Sequence, residues 1–420
     1  MEDRATGPEV AAAVAEAHRH EWAFVLAATV RVTADLDLAE ECVQHAYAQA
    51  LTAWQRTGIP DRPGAWLTPV ARRRAVDLHR REATLSRVLP LLVERDAGSG
   101  SDDGPPAEVP GIADDRLRLV FICCHPALAV EAQVALTLRL VCGLSTVEVA
   151  RSFLVGEATM AARITRAKKK IAAARIPFRT PTAAELPERT AAVLHVVHLV
   201  FTTGHTAPVG AELVRHDLVE RATDLARLLR VLLPRDPDVA GLLALIVLTG
   251  AREPGRVADD GRLVLLADQD RSRWDRAAIT EGVALAREAL AGRPPSRFAL
   301  MAAIAAVHAE ATTWDDTDWA EIVSLYDLLA RIWPSPVVSL NRAVALGLAH
   351  GPGAGLAALD ELDGEPQLVG YPYLPAARAD FLRRLGDTDA ARTAYREALA
   401  LTGNEVERQF LTVRLGELDA

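Results

Sequence analysis

The recurrence of short apolar runs with helical spacing constrains the fold of this chain more than any other feature. Eleven such runs lie between residues 188 and 418, with apolar residues three or four positions apart and short proline-rich, glycine-rich or charged links between them. This spacing places the apolar residues on one face of an α-helix, whereas a strand would require alternation, which the sequence does not show. The chain is therefore predicted to be all-α. The runs are residues 188–202, 218–233, 239–249, 276–290, 297–311, 318–332, 336–349, 353–362, 373–385, 388–401 and 404–418.

The segment that covers residues 144–171 has the pattern of a helix–turn–helix. Ser145 and Glu148 have the spacing of a capping box, which predicts that the first helix starts at Thr146. Gly156 suits the tight turn. In the second helix, an apolar stripe predicts the core side and a neighbouring polar stripe predicts the solvent side. The apolar stripe is Met160, Ile164, Ala167 and Ile171, and the polar stripe is Thr159, Arg163, Arg166 and Lys170.

Positive charge is concentrated in two blocks of a chain whose formal net charge is −9. All the lysines of the chain, residues 168–170, lie in the second helix of the helix–turn–helix, and residues 62–87 hold seven arginines against two acidic residues. A short polar residue and three cations at helical spacing suit the major groove of DNA. The alternative is a solvated basic helix end, which the helix dipole favours. The two blocks together favour nucleic acid as a partner.

Three motifs make residues 16–178 similar to an extracytoplasmic-function (ECF) sigma factor, which has two domains, region 2 and region 4. Residues 38–47, Leu-Ala-Glu-Glu-Cys-Val-Gln-His-Ala-Tyr, and the sequence up to residue 54 resemble the region 2 helix that docks on RNA polymerase. Residues 63–81, which begin Pro-Gly-Ala-Trp-Leu, resemble the helix that melts and holds the −10 promoter element. The helix–turn–helix resembles region 4, which reads the −35 element.

The resemblance implies a role for three sets of residues. Docking on the core polymerase is expected of Asp37, Glu40, Glu41, Gln44 and Tyr47. Contact with the −10 element is expected of Trp66, Arg72, Arg73, Arg74, Asp77, Arg80 and Arg81. Contact with the −35 element is expected of Thr159, Arg163, Arg166, Lys169 and Lys170. Arg73 stands where the family often has asparagine, and alanines at 161 and 162 stand where it often has a Lys-Ser pair, so the resemblance does not define the promoter sequence.

The chemistry of two of these segments agrees with the implied roles. The start of residues 37–54 is acidic, and we expect Asp37, Glu40, Glu41 and Gln44 to be exposed there. An acidic helix suits a basic protein surface better than it suits DNA, although an ordinary solvated face would have the same pattern. In residues 66–81, the arginines and Trp66 suit an opened duplex, which needs cations for its backbone and rings for its bases. Trp66 by itself is better explained by core packing.

Composition and motif order predict four segments. These are region 2 over residues 16–88, a flexible linker over 89–113, region 4 over 114–178, and a helical extension over 183–420. Glycine, serine, proline and aspartate dominate the linker, which predicts disorder when the chain is alone. The link at residues 176–182 is short and proline-stiffened, so we expect region 4 and the extension to be in contact.

The end of the extension resembles tetratricopeptide (TPR) repeats at about residues 337–403, and the whole chain resembles an ECF subgroup with a helical, TPR-like extension. Residues 123–128, 268–275 and 335–342 are similar to signatures of that subgroup. Residues 201–205 depart from a fourth signature, because Thr-Thr and His replace its Asn-Glu and Tyr. The small and large residues that would interlock the repeat helices are Ala379, Leu382, Gly386, Ala391, Tyr395 and Ala398.

Enzymatic and metal-binding functions have little support in the sequence. The cysteines at 42, 123, 124 and 142 lack Cys-x-x-Cys spacing and are expected to be buried thiols. His195 and His198 lie one turn apart, but no acidic partner is close in sequence. The charged residues 268–275 are expected to form an ion-paired corner that braces Trp274. No phosphate loop, nucleophile elbow or dinucleotide fingerprint occurs. The sequence therefore predicts no catalytic residue, no metal and no cofactor.

The predicted partners are the RNA polymerase core enzyme, promoter DNA and a regulatory protein at the helical array, in the cytoplasm and without membrane contact. Residues 1–20 are charged, and the longest apolar run, residues 240–249, is too short to span a bilayer. Two alternatives remain open. One is a free-standing helix–turn–helix regulator with a TPR-like interaction module, and the other is a scaffold whose sigma-like half has decayed. The docking helix and the −10 helix discriminate, because a free-standing regulator has no use for them.

Overall fold

The computed structural model describes residues 6–88, 115–153, 155–258, 260–292 and 294–418, and the side chains of residues 79 and 81–88 lie outside this description. The predicted linker at 89–113 is therefore outside the described residues. The described chain is all-α, as predicted, apart from two strands of two residues each. It divides into two compact units, residues 1–196 and 197–420.

The first unit is built from seven helices and the start of an eighth in its described part. Helices α1, α2 and α3 pack on one another around Trp54, which is fully buried, and α4 also packs on α1. Asp35 caps α2, because its carboxylate accepts a hydrogen bond of 2.8 Å from the backbone N–H of Leu38. The helices are α1 (Gly7–Thr33), α2 (Leu36–Thr57), α3 (Pro63–Val88), α4 (Asp115–Cys123), α5 (Val130–Leu136), α6 (Thr146–Ser152) and α7 (Glu157–Ala173), with a π-helical turn at Thr137–Val141.

Helix α8 contains the boundary between the units, and ten further helices follow it. Each of the eleven predicted apolar runs coincides with one of these helices to within three residues at either end, so the sequence-based helix prediction is confirmed. The helices are α8 (Leu186–His205), α9 (His216–Leu232), α10 (Pro237–Gly250), α11 (Arg276–Leu290), α12 (Arg297–Glu310), α13 (Trp319–Ile332), α14 (Pro336–His350), α15 (Pro352–Asp360), α16 (Tyr373–Leu385), α17 (Thr388–Leu401) and α18 (Glu405–Gly416). Three-residue 3₁₀ turns lie at Glu253–Gly255, Arg271–Arg273 and Pro366–Leu368.

Successive helices in the last part of the second unit pack against each other in pairs. Helix α14 packs on α15, α15 on α16, α16 on α17 and α17 on α18. Of the residues in the predicted repeat pattern, Ala379, Ala391, Tyr395 and Ala398 are buried and Leu382 is half-buried. Gly386 ends α16 with a positive φ of 82°, which a residue with a side chain adopts only under strain.

The sequence did not predict the two strands, β1 (Val209–Gly210) and β2 (Gly403–Asn404), which pair in parallel. Asn404 holds this contact. It is fully buried, and its side-chain N–H groups donate to the backbone oxygens of Ala207 at 3.0 Å and Glu212 at 2.8 Å. Two residues are too short for any alternation to be recognised, and the pairing closes a loop of nearly 200 residues.

The expected ion-paired corner at residues 268–275 has a different construction. Trp274 is buried, but the Arg271 guanidinium braces it by lying 4.8 Å from its ring centre. Arg271 donates to the backbone oxygens of Ala311 at 2.6 Å and His308 at 3.2 Å. Asp275 caps α11 through the backbone N–H groups of its first turn. The corner is thus held mainly by a cation–π contact and backbone hydrogen bonds.

Candidate nucleic-acid interface

The helix–turn–helix has the capping and the core side that the sequence predicted. Helix α6 begins at Thr146, the Ser145 hydroxyl accepts from the backbone N–H of Glu148 at 3.2 Å, and the Glu148 carboxylate accepts from the backbone N–H of Ser145 at 2.7 Å. Both halves of the capping box are therefore present. The four residues of the apolar stripe on α7, Met160, Ile164, Ala167 and Ile171, are all buried.

The polar side of α7 carries the residues expected to contact the −35 element. Thr159, Arg166, Lys169 and Lys170 are exposed. Arg163 is half-buried, because its guanidinium lies over the ring of Phe153 at 5.4 Å from the ring centre. This contact restricts the Arg163 side chain and leaves Arg166, Lys169 and Lys170 as the more accessible cations of the helix.

The arginines of α3 divide between the surface and the body of region 2. Arg73, Asp77 and Arg80 are exposed, whereas Leu67, Ala71 and Ala75 on the opposite side are buried. Arg72 and Arg74 are half-buried. The Nε–H of Arg72 donates to the backbone oxygen of Ala28 at 3.2 Å, and Arg74 pairs with Glu41 at 3.4 Å. The side chain of Arg81 lies outside the described residues. Trp66 is half-buried and places its ring edge-on to Trp54, 5.7 Å away, which agrees with the core-packing explanation.

Two of the residues expected to dock on polymerase are buried. Asp37, Glu41 and Gln44 are exposed, as expected, but Glu40 is only 5% exposed, so the expectation of an exposed Glu40 is wrong. Tyr47 is also buried, and its hydroxyl donates to the backbone oxygen of Ala17 at 3.2 Å. Burial raises the pKa of the Tyr47 phenol. Tyr47 therefore supports the packing of α1 on α2.

The burial of Glu40 comes from a charged contact between region 2 and region 4, which we call the inter-region joint. Its residues are Asp37, Glu40, Arg139 and Lys168. The Lys168 ammonium donates to Asp37 at 2.6 Å and also to Glu40, and Arg139 pairs with the second oxygen of Glu40 at 2.8 Å. The side chains of Lys168 and Glu40 are only 10% and 7% exposed. Burial lowers the pKa of Lys168, but the charges of Glu40 and Asp37 outweigh it and raise the pKa overall.

Close packing accompanies the inter-region joint. The indole N–H of Trp22 on α1 donates to the backbone oxygen of Leu140 at 3.0 Å. Gly143 has a φ of 74°, and a Cβ at this position would lie 3.2 Å from both His18 and Trp22. A side chain at this position would press on α1, and the positive φ would strain its backbone. Region 2 and region 4 thus form one packed unit.

Sequence reasoning missed the inter-region joint, although one signal for it was present. Lys168 lies four residues after Ile164 and three before Ile171, both of which are buried, so it belongs to the core side of α7 and not to the polar stripe. Its partners are 128 and 131 residues away in sequence. No local pattern could identify them.

The start of α8 is fixed to region 4. The guanidinium of Arg189 donates to the backbone oxygen of Phe121 on α4 and lies 5.9 Å from the centre of its ring. Before it, Arg179 forms two hydrogen bonds with Glu185, at 2.8 and 2.9 Å, across the proline-containing link. The hydrogen bonds from Arg179, followed by those from Thr182, lower the pKa of the Glu185 carboxyl. The link is therefore ordered by specific contacts.

The cysteines and histidines have structural surroundings. All four cysteines are free and buried, and Cys124 lies 3.4 Å from the Thr137 hydroxyl. Burial raises the pKa of the Cys124 thiol to about 12, which keeps it protonated. His205 is enclosed beside Arg256, and burial lowers its pKa to about 3. The described residues contain no group of three side chains that could hold a metal ion. They also contain no helix long and apolar enough to cross a membrane.

Comparison with known proteins gives matches along most of the chain. The family model for sigma-70 region 2 matches residues 19–84, and that for sigma-70 region 4 matches residues 118–171. A family of unknown function, DUF6596, matches residues 189–290. An uncharacterized protein of Rhizobium meliloti (strain 1021) is 44% identical over 397 residues, which cover 94% of this chain and 93% of that protein. No solved structure matches.

Proposed function

This chain belongs to the ECF sigma factors that carry a C-terminal extension, and we propose that it directs RNA polymerase to specific promoters, with the extension supporting or regulating that activity. Sigma-70 regions 2 and 4 imply binding to the core polymerase and to promoter DNA. The observation that carries the proposal is the presence, in one packed unit, of a capped helix–turn–helix with exposed cations and of a second helix with exposed arginines.

Recognition of the −35 element is assigned to the polar side of α7. Arg166, Lys169 and Lys170 are accessible, and the buried apolar stripe fixes which side of the helix faces outward. Arginine can form two hydrogen bonds with guanine in the major groove, whereas lysine acts mainly as a charge toward phosphates. Arg166 is therefore proposed as the base-reading residue, and Lys169 and Lys170 as phosphate contacts. Thr159 and Arg163 lie on the same side, with Arg163 positioned by Phe153.

Recognition of the −10 element is assigned to the exposed side of α3. Arg73 and Arg80 supply accessible positive charge there, and Asp77 lies between them. Arg72 and Arg74 are tied to region 2 by their hydrogen bonds, so we assign them to the positioning of α3. Trp66 supports the helix start through Trp54. Opening of a duplex needs cations along the backbone, and this side of α3 provides them.

The inter-region joint suggests that the described form is a closed one. Asp37 and Glu40, assigned to polymerase docking, are bonded to Lys168 on the DNA-reading helix. Glu40 is buried beneath Lys168 and Arg139, so it can contact a basic polymerase surface only after Lys168 has left. We therefore propose that polymerase binding releases Lys168 and separates region 4 from region 2.

The extension is proposed to brace region 4 and to receive a regulatory protein. The contact of Arg189 with Phe121 and the ordered link at Arg179 and Glu185 support the brace, because a purely tethered module would need neither. The paired packing of α14 to α18 supports the TPR-like prediction and a protein partner for that array. Arg189→Met in the full chain should lower promoter activity, whereas Arg331→Met, at an exposed position on α13, should not. Equal activity of the two variants would remove the brace from the proposal.

A run-off transcription assay with core polymerase tests the sigma proposal. Templates should carry candidate promoters from upstream of the gene and its neighbours. The full chain should create a new start site, and Arg166→Ala should weaken promoter binding by about 1–3 kcal/mol at that sequence. Specific DNA binding without any polymerase-dependent start site would instead favour a free-standing helix–turn–helix regulator. A decayed sigma-like half predicts neither activity.

A further inference from the structure

The second unit contains a cavity of about 600 Å³ that shares no lining residue with the surfaces assigned to DNA or to polymerase. Its lining comes from the end of α12 and from α13, α14, α16, α17 and α18, with contributions from the loops before α13 and α16. Sites for small molecules in proteins measure about 300–1,000 Å³. The cavity therefore has the size of a small-molecule site.

Aromatic side chains make up much of the lining. Four of the five tyrosines of the chain and two of its seven tryptophans lie there. Tyr395 is buried and belongs to the packing of α16, α17 and α18. The other tyrosines and tryptophans of the lining keep part of their surface open, and they are Trp314, Trp319, Tyr326, Tyr371 and Tyr373. Large rings that are left partly uncovered in one concavity offer apolar surface to a ligand.

Neighbouring rings of the lining are tilted relative to each other. The ring centres of Trp314 and Trp319 are 4.9 Å apart with their planes at 60°, and those of Tyr371 and Tyr373 are 5.1 Å apart at 66°. Rings at such angles leave part of their faces uncovered, so a planar aromatic molecule can stack on them. The Tyr373 hydroxyl donates to Glu407 at 2.8 Å, which holds this ring in place.

The charged side chains of the lining are paired with each other. They are Asp380 and Arg384, which form an ion pair at 2.9 Å, and Asp380 also accepts from Arg383 at 2.8 Å. Burial lowers the pKa of His308, which also lines the cavity, to about 3, so its imidazole is uncharged at pH 7. An ionised ligand would lose its hydration here without gaining a counter-ion. The lining therefore favours an uncharged ligand.

Two hydroxyls of the lining are available for hydrogen bonds. None of the residues that the structure describes forms a hydrogen bond with the hydroxyl of Tyr326 or of Tyr371. Burial raises the pKa of Tyr326 to about 12, so this phenol stays protonated and can donate. A hydroxyl or carbonyl group attached to a ring system suits these two partners.

We propose that this cavity binds an uncharged planar aromatic molecule, with its ring system against the open rings of Trp314, Trp319 and Tyr371 and its polar group toward a tyrosine hydroxyl of the lining. The extension would then act as a receptor for a small molecule. The inference is independent of the sigma proposal, because its residues all lie in the second unit and its test measures binding alone.

Isothermal titration of the full chain with 2-naphthol tests the inference, and 2-naphthoate serves as the ionised comparison. The dissociation constant for 2-naphthol should lie below about 1 mM, which is ordinary for a ligand of this size in a preformed site. 2-Naphthol should bind at least about ten-fold more tightly than 2-naphthoate, because the carboxylate must give up its hydration without a counter-ion.

A matched pair of tryptophan variants tests whether the rings of the cavity carry the binding. Trp314→Ala removes one ring of the lining and should weaken the binding of 2-naphthol by about five-fold or more. Trp333→Ala is the control, because Trp333 is also half-buried but does not line the cavity, and it should leave the affinity unchanged. Circular dichroism should accompany each variant. If Trp314→Ala does not fold, Trp314→Leu removes the ring with a smaller change in volume and takes its place.

The double variant Tyr326→Phe/Tyr371→Phe tests the hydroxyls, since it keeps both rings. It should weaken the binding of 2-naphthol by about five-fold and leave the binding of naphthalene, which has no hydroxyl, unchanged. Equal effects on the two probes would contradict the role assigned to the hydroxyls.

Three results would overturn the inference as a whole. One is the absence of 2-naphthol binding up to millimolar concentration, which would leave the concavity to a protein partner. The others are equal affinities for 2-naphthol and 2-naphthoate, and an equal loss of affinity in the Trp314→Ala and Trp333→Ala chains.

Discussion

Each unit of this protein contains a buried cation, but the partners of the two cations differ. In the first unit, the buried Lys168 is matched by Asp37 and Glu40, and its other lysines are exposed. In the second unit, the buried Arg271 lies over the ring of Trp274 and donates to the backbone oxygens of Ala311 and His308. The two members of an ion pair can separate and bind other charged groups, whereas a cation without a carboxylate partner is held in place by the surrounding fold. The first arrangement suits a surface that changes partners, and the second suits a fixed corner of the fold.

Loss of the Glu40 charge should have the largest effect on stability. Glu40→Gln leaves Lys168 and Arg139 close together with less negative charge, and removal of one partner from a buried pair costs about 3–5 kcal/mol. We expect faster native-state hydrogen exchange in α2 and α7. Glu41→Gln, which changes an exposed carboxylate 3.4 Å from Arg74, is the control and should cost no more than about 1 kcal/mol. Similar exchange in both variants would show that the joint is not a stabilising contact.

The second-largest loss of stability is expected when a side chain is added to the close packing of the second unit. A Cβ at Gly347 on α14 would overlap the ring of Phe381 on α16, whereas a Cβ at Gly353 on α15 would meet nothing within 4 Å. Gly347→Ala should therefore destabilise the second unit by about 1–3 kcal/mol. Gly353→Ala should be neutral or slightly stabilising, because alanine favours a helix. Thermal unfolding distinguishes them, and equal melting temperatures would contradict the close packing of α14 on α16.

Mild acid should destabilise the second unit more than the first. Burial lowers the pKa values of His205 and His308 to about 3, below their ordinary value of 6.5. The unfolded chain therefore takes up these protons first, and stability is lost as the pH falls below about 6.5. Each histidine should cost about 1–2 kcal/mol between pH 7 and pH 5. Lys168 has a raised pKa and stays charged over this range, so it adds no such loss to the first unit.

Urea unfolding at the two pH values, resolved by hydrogen exchange in each unit, measures this difference. His308→Asn should reduce the acid sensitivity of the second unit, and His350→Asn, at an exposed position on α14, should not. An identical response of both units to pH would mean that the two histidines are not enclosed in solution.

The smallest effect is expected at the end of α7. Lys170 is exposed, so Lys170→Ala should leave stability unchanged and should weaken DNA binding evenly across sequences. The slope of log binding constant against log salt should fall by about one. Filter binding or fluorescence anisotropy over a salt series, with specific and random DNA, gives this slope. A sequence-dependent loss would instead make Lys170 a base-reading residue.

Local patterns in the sequence predicted most of the helices and the orientation of α7. The capping box at Ser145 and the stripe that contains Met160 and Ile164 lie within one or two helical turns, so a single sequence can define them. The burial of Glu40 depends on Lys168 and Arg139, which are about a hundred residues away, and an acidic helix start gave no sign of them. The burial of Asn404 was equally unpredictable from local patterns, because the strand that pairs with it lies near residue 209.

The sequence likewise predicted only the local part of the candidate site. Exposure of Arg166, Lys169 and Lys170 follows from the periodicity of α7, whereas the contact of Arg163 with Phe153 needs the turn geometry between α6 and α7. The periodicity of a helix predicts which of its side chains share a face, whereas only the tertiary structure shows which other residues cover that face.

Zero-length carbodiimide cross-linking tests the central claim, that the docking and DNA-reading helices hold each other in the free chain and separate on polymerase. The reagent joins a carboxylate to an amine in direct contact, and the only lysines are residues 168–170. Lys168→Arg is the control, because it keeps the charge without a reactive amine. Mass spectrometry of the free chain should find Lys168 joined to Asp37 or Glu40. The same link should be lost when core polymerase and promoter DNA are saturating. A link that persists at full strength in the transcribing complex, or that never forms in the free chain, would contradict the account.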